Sequence, residues 1–230
     1  GNGCFSWFPG FPDDRYITQH ITAGMGHLDR MGVTAVRKDS RMEQMVQKSL
    51  AYMDQKMQDR YEYLKAQAKK GLLKLEENNL DYIEIHYLYT RSYFMDISVD
   101  DRCREGFDYF MKQASAYWLQ NDIYMQGMIA LALHRVGNTT VPGAIIRSLN
   151  ERALRSEEMG MYWKTGRGYF WYQAPVETQA LMVEVYDEVA GDKKSVEDLK
   201  VWLLKQKQTQ DWRTTKATAE ACYALLRRGT

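Results

Sequence analysis

From Met42 to Ala68 an apolar residue returns at every third or fourth position: Met42, Met45, Val46, Leu50, Met53, Met57, Tyr61, Leu64 and Ala68. Lys, Asp, Gln and Arg fill the positions between. That spacing builds one wet and one dry face on a helix and cannot sit on a strand, whose faces alternate every two residues. The stripe predicts a long amphipathic helix, capped by Asp39 or Ser40 and broken somewhere before Gly71. A helix of this kind is stable only against another apolar surface.

The last third of the chain supplies such surfaces. Thr178 to Tyr186 carries Leu181 and Val185 on one stripe, which continues through Glu188 and Val189 to a stop at Gly191. Gly191 is placed for a left-handed C-terminal cap. A second helix opens at Ser195 with Glu197 and Asp198 in its first turn, where acids suit the helix dipole. Asp211-Trp212 makes a turn, and a third helix runs Thr215 to Leu226. Its Ala217, Ala219, Ala221 and Ala224 predict close approach of neighbours on several sides.

The rest of the chain repeats this grammar. A helix is predicted from Arg15 to Met31, with Tyr16, Gln19, Ala23, Gly26 and Arg30 near one line. Gly24 and Gly26 weaken it by roughly 1 kcal/mol each relative to Ala, which tight packing would explain. Asp81 caps an aromatic-rich helix through Phe94, and Ser98 or Asp100 starts an outer helix with Phe107, Phe110, Met111 and Ala114 apolar. A short buried helix is predicted over Ile123 to Val136 and a further outer one over Ala144 to Glu158. Buried helices thus end near Gly32, Met95, Gly137, Gly191 and Gly229, about fifty residues apart on average, each interval holding one inner and one outer helix. The fold class is all-α, with helical hairpins in an α/α toroid, complete or partial. A toroid is preferred to a solenoid because aromatic loops recur at the end where inner helices begin, and no capping repeats stand out.

Those loops hold the candidate binding residues. Gly3 to Asp14 contains Phe5, Trp7, Phe8 and Phe11 among two prolines and two glycines, and Met159 to Ala174 contains Trp163, Tyr169, Phe170, Trp171 and Tyr172. Trp7, Phe8, Trp163, Tyr169, Trp171, Tyr172 and Trp212 are expected at one end, with Arg15 and Arg167 as polar contacts. They either plug that end as core or line a cleft or docking surface.

Net charge is +1 over 230 residues, so nothing argues for nucleic acid or an acidic membrane surface. No apolar run approaches the roughly 20 residues that cross a bilayer. Cys4, Cys103 and Cys222 lack metal-type spacing and allow one disulfide plus a free thiol. His20 and His27 share a helix face without a third ligand, and His86 and His134 stand alone. The acid pairs Asp13-Asp14, Glu76-Glu77 and Glu157-Glu158 read as helix caps and solvated ends rather than glycosidase carboxylates. Gly166-Arg167-Gly168 has no strand before it and is no phosphate loop. No catalytic residue, metal or cofactor is expected.

Three stretches resemble bacterial alpha-2-macroglobulin family proteins: Gly3-Cys4-Phe5-Ser6-Trp7-Phe8-Pro9-Gly10 with Asp14 to His20; Pro175-Val176-Glu177-Thr178-Gln179-Ala180; and Leu203 to Glu220. The matching region is the thioester-type, complement-component-like domain, an α/α toroid in that family. The resemblance implies a single toroid domain over residues 1–230, a fragment of a larger multidomain protein at the periplasm or cell envelope. Its start reads as a cut rather than a natural terminus. The implied role is non-enzymatic, in protease inhibition or trapping, with neighbouring domains and proteases as partners. Members with a working thioester join a Cys to a Gln three residues later. Here Cys4 is followed by Trp7, Cys103 by Gly106 and Cys222 by Leu225, so no thioester is assigned. The alternative is a carbohydrate-active enzyme on the same toroid, a glycoside hydrolase or lyase with an aromatic cleft.

Overall fold

The computed structural model describes residues 3–6, 14–164, 175–209, 212 and 214–227. It is 75% helical and 4% strand, which makes the chain all-α. Two compact units divide it, residues 1–120 and 121–230.

The first unit holds α1 (Arg15–Arg30), a short α2 (Ala35–Lys38), α3 (Ser40–Lys69), α4 (Tyr82–Arg91) and α5 (Asp101–Tyr117). Asp14 caps α1 by accepting from the Ile17 N–H at 2.9 Å. Asp39, not Ser40, caps α3, taking both the Arg41 and Met42 N–H groups. The expected break is absent, and α3 runs unbroken to Lys69 with Val46, Leu50, Met53, Met57 and Leu64 buried. Helix α5 lies along α3 so closely that a Cβ on Gly106 would stand 2.8 Å from Gln58 Oε1. Asp81 and Glu84 close a reciprocal capping box on α4, which is buried on nearly every side. Gln19, near the start of α1, donates to the Ile83 carbonyl at 3.1 Å, and His27, near its end, lies 3.0 Å from Tyr89 Oη. Hence α1 and α4 run parallel. Gly26 belongs to that contact, since a Cβ there would come within 2.6 Å of the Tyr93 ring, whereas Gly24 faces open space. Packing accounts for one glycine and not the other.

The second unit holds α6 (Ile123–Arg135), α7 (Thr140–Arg152), strands β1 (Leu154–Ser156) and β2 (Gly160–Tyr162), α8 (Pro175–Val185), α9 (Lys193–Thr209) and α10 (Thr215–Leu226). The helix expected to reach Glu158 stops at Arg152 and gives way to an antiparallel hairpin pairing Leu154 with Tyr162 and Ser156 with Gly160. Ser156 Oγ receives the Met159 N–H inside the turn, and Gly160 takes φ +72° against the Asp198 carbonyl, a place no side chain fits. The hairpin carries Met161 and Trp163 into the core, which a continued solvated helix would not.

α8 leads into a π-helical turn, Tyr186–Ala190, before Gly191 closes it at φ +61°. α9 starts at Lys193 rather than Ser195, because Asp192 holds the Ser195 N–H at 3.0 Å. In α10, Ala217, Ala221 and Ala224 are buried as the small-residue pattern predicts, while Ala219 is exposed. Tyr124, at the start of α6, has the Lys216 ammonium of α10 over its ring, and Glu184, late in α8, meets both Arg135 and Arg227 at the ends of α6 and α10. These three buried helices therefore run parallel, with their first turns together.

Candidate functional site

Buried charge gathers around α4 in the first unit and along α8 in the second. In the first unit, the fully buried Arg91 guanidinium donates from Nε to Asp54 Oδ1 at 3.0 Å and from its two Nη atoms to the Phe94 and Ile97 carbonyls at 2.7 Å each. Tyr87 Oη donates to the same carboxylate at 2.6 Å. Burial pushes the Asp54 carboxyl up while Arg91 pulls it back, and burial holds the Tyr87 hydroxyl well above its ordinary range. This cluster sews α3 to the end of α4. Nearer the start of α4, Glu84 is buried beside Arg60, whose Nε stands 3.5 Å from Oε1; burial raises this carboxyl, against the pull of Arg15 and Arg60.

The second unit carries a longer ladder between α8 and α10. Glu177 and Glu184 stand two turns apart on α8, and Lys216, Glu220, Tyr223 and Arg227 follow one another at steps of four, three and four along α10, so each set shares one face. At the far end the π turn widens the helix and brings Asp187 and Glu188 round with Glu184. Arg135 donates to Glu184 at 2.6 Å and to both Glu188 oxygens at 2.8 Å, and Arg227 Nη2 meets Asp187 at 2.7 Å. Bidentate guanidinium–carboxylate pairs of this kind fix geometry strongly.

The near end of the ladder is unlike the far end. Glu177 is 1% exposed, and its Oε2 has no hydrogen-bond partner. Lys216 Nζ, 5.7 Å from the centre of the Tyr124 ring, also lacks one. Burial raises the Glu177 carboxyl, countered by the Lys216 ammonium. Burial likewise pushes the part-exposed Glu220 up to about 7, with Lys216 opposing and Glu184 and Glu177 reinforcing. Each buried polar atom left unpaired costs about 1–3 kcal/mol. Two carboxyls raised by burial beside an unpaired ammonium mark a place built for something besides packing.

Among the residues expected to bind, Arg15 opens α1 and donates from Nε to Gln19 Oε1 at 3.1 Å, with burial lowering its pKa. Trp163 is buried in the second unit; its indole N–H reaches the Leu149 carbonyl at 3.0 Å and its ring lies 6.0 Å from that of Tyr186. Trp212 is part-exposed, two residues before the Thr214 cap of α10, with the Lys207 ammonium 5.4 Å from its ring and its own Nε1 buried and unpaired. Trp7, Phe8, Arg167, Tyr169, Trp171 and Tyr172 lie outside the described residues. The three cysteines are free thiols, so no disulfide forms among them, and burial raises that of Cys103. His86 Nδ1 lies 3.0 Å from Gln19 Nε2, and His20 stacks on Tyr16. Among the described residues no three His, Cys, Asp or Glu side chains gather as metal ligands, and no helix is long and apolar enough to cross a membrane.

The sequence reading passed over Glu177, Lys216 and Glu220. The available signal was the polar stripe 216/220/223/227 on a helix read only through its alanines, and Glu177 and Glu184 within a helix otherwise almost wholly apolar. A scan of the chain against protein-family models finds no match, and a search of curated proteins finds none either.

Proposed function

We propose that this chain serves as a non-enzymatic interaction domain of a bacterial alpha-2-macroglobulin-like protein of the periplasm or cell envelope, its helical hairpins belonging to an α/α toroid. The observation that carries the reading is the parallel alignment of buried helices within each unit, α1 with α4 and α6 with α8 and α10, each run linked by helices with one wet face. Hairpins that repeat with parallel inner helices are what an α/α toroid requires. The Pro175–Ala180 stretch that carries part of the resemblance forms the first turns of α8. No Cys-x-x-Gln lies within this sequence, so the part this chain plays in hindering a protease is steric rather than covalent. Its partners in this reading are the neighbouring domains of the same polypeptide and the captured protease.

Steric capture makes a distinctive demand. The full product of the gene encoding this chain should block a protease from a large protein substrate while leaving hydrolysis of a short chromogenic peptide intact. Equal loss of both activities, or loss of neither, rejects the proposal.

A further inference from the structure

We propose that the end of the second unit where α8 and α10 begin is a binding site for a neutral polyhydroxyl ligand, a saccharide, held between Glu177 and Lys216, with Trp212 in the stretch that leads into α10. The inference is separate from the protease-trapping role and requires no turnover. Three observations combine. Glu177 is 1% exposed yet presents Oε2 with no partner, and Lys216 Nζ and Trp212 Nε1 are likewise buried and unpaired. Glu177, Lys216 and Glu220 interact electrostatically, so the acceptor and the ammonium share one locality. Lys216 and Glu220 keep part of their surface in solvent, which leaves a way in.

The choice of ligand follows from charge and hydrogen-bond type. The Lys216 ammonium offsets the Glu177 carboxylate, and burial favours the uncharged form of Glu220, so a strongly charged ligand of either sign would leave an uncompensated ion. The unpaired groups are one carboxylate acceptor and two N–H donors. Adjacent sugar hydroxyls donate to the first and accept from the others, and an indole face suits the C–H surface of a pyranose ring. The ion pair of Arg91 and Asp54 looks different: its partners face one another and are saturated.

The test is calorimetric titration of the whole chain with maltotetraose, cellotetraose and chitotetraose, with glucosamine and a sulfated disaccharide as charged controls. At least one neutral oligosaccharide should saturate, with Glu177→Ala and Lys216→Met each weakening it at least tenfold. Hydrogen exchange on the unmodified chain should slow in the first turns of α8 and α10 when that sugar is added, a readout that survives if a variant fails to fold. The proposal falls if no neutral sugar binds by about 10 mM, if a charged control binds more tightly, or if protection appears elsewhere.

Discussion

Asp54 with Arg91 in the first unit and Glu177 with Lys216 in the second each set a buried carboxyl near an opposite charge, yet they solve different problems. Arg91 spends its guanidinium on a carboxylate and two carbonyls, and Asp54 also receives a tyrosine hydroxyl. Glu177 and Lys216 each keep a buried atom without a partner. Desolvating a charge is costly, and a structure recovers that cost only when geometry and extra hydrogen bonds are complete. Completeness at Asp54 and Arg91 therefore marks a structural device. Incompleteness at Glu177 and Lys216 marks a place where stability has been given up.

The largest consequence concerns the complete cluster. Asp54→Ala leaves the Arg91 charge buried without its counterion, and urea unfolding should show a loss of about 3–5 kcal/mol. A loss under about 1 kcal/mol would mean that the two carbonyls alone hold the guanidinium, and the contrast between units would weaken. Glu177→Met should do the reverse. It removes a desolvated carboxylate with an unpaired oxygen and fills the volume, and the part-exposed Lys216 can turn its ammonium to water where the fully buried Arg91 cannot, so the same measurement should show no loss, or a gain of about 1–2 kcal/mol. A destabilisation comparable with that of Asp54→Ala would show that Glu177 is structural after all.

Glu220 separates the units by pH. Its folded carboxyl lies near 7 against an ordinary 4.5, so the folded chain keeps a proton that the unfolded chain has released. The stability this group contributes is whole below about pH 4.5 and is lost as pH rises through about 7. Glu177, Glu84 and Asp54 are raised too and tilt the profile the same way, so the informative quantity is wild type minus Glu220→Gln. Between those limits that difference should change by on the order of 1 kcal/mol, allowing for partial solvent screening. A flat difference would place Glu220 in ordinary solvent and remove one member of the cluster.

Much of this architecture was legible in the sequence because helix faces write themselves at intervals of three and four. The Met42–Ala68 stripe gave α3, and the limits Thr215 and Leu226 match α10. The hairpin at 154–162 was not legible, because its strands are three residues long and the signal of alternation needs more. The ladder on α8 and α10 was hidden for a different reason. Charged residues inside helices usually face water, and only the packing of three parallel helices turns Glu177, Glu184 and Arg135 inward. Trp163 shows the converse: an aromatic in a loop-like stretch, conspicuous in sequence, spends its ring and its N–H on the core.

The smallest expected effect tests how far tight packing explains the first unit. Two glycines in α1 look alike in sequence, yet only Gly26 sits against a neighbour, the Tyr93 ring, and a Cβ at Gly24 meets nothing within 4 Å. Gly24 sits in mid-helix and takes no positive φ, so alanine fits its backbone. Gly24→Ala should therefore raise stability by about 0.5–1 kcal/mol, chiefly by restricting the unfolded chain. Thermal unfolding of the variant beside wild type reads this directly. A loss instead of a gain would mean that the space beside Gly24 is occupied in solution, and that this face of α1 is a contact surface.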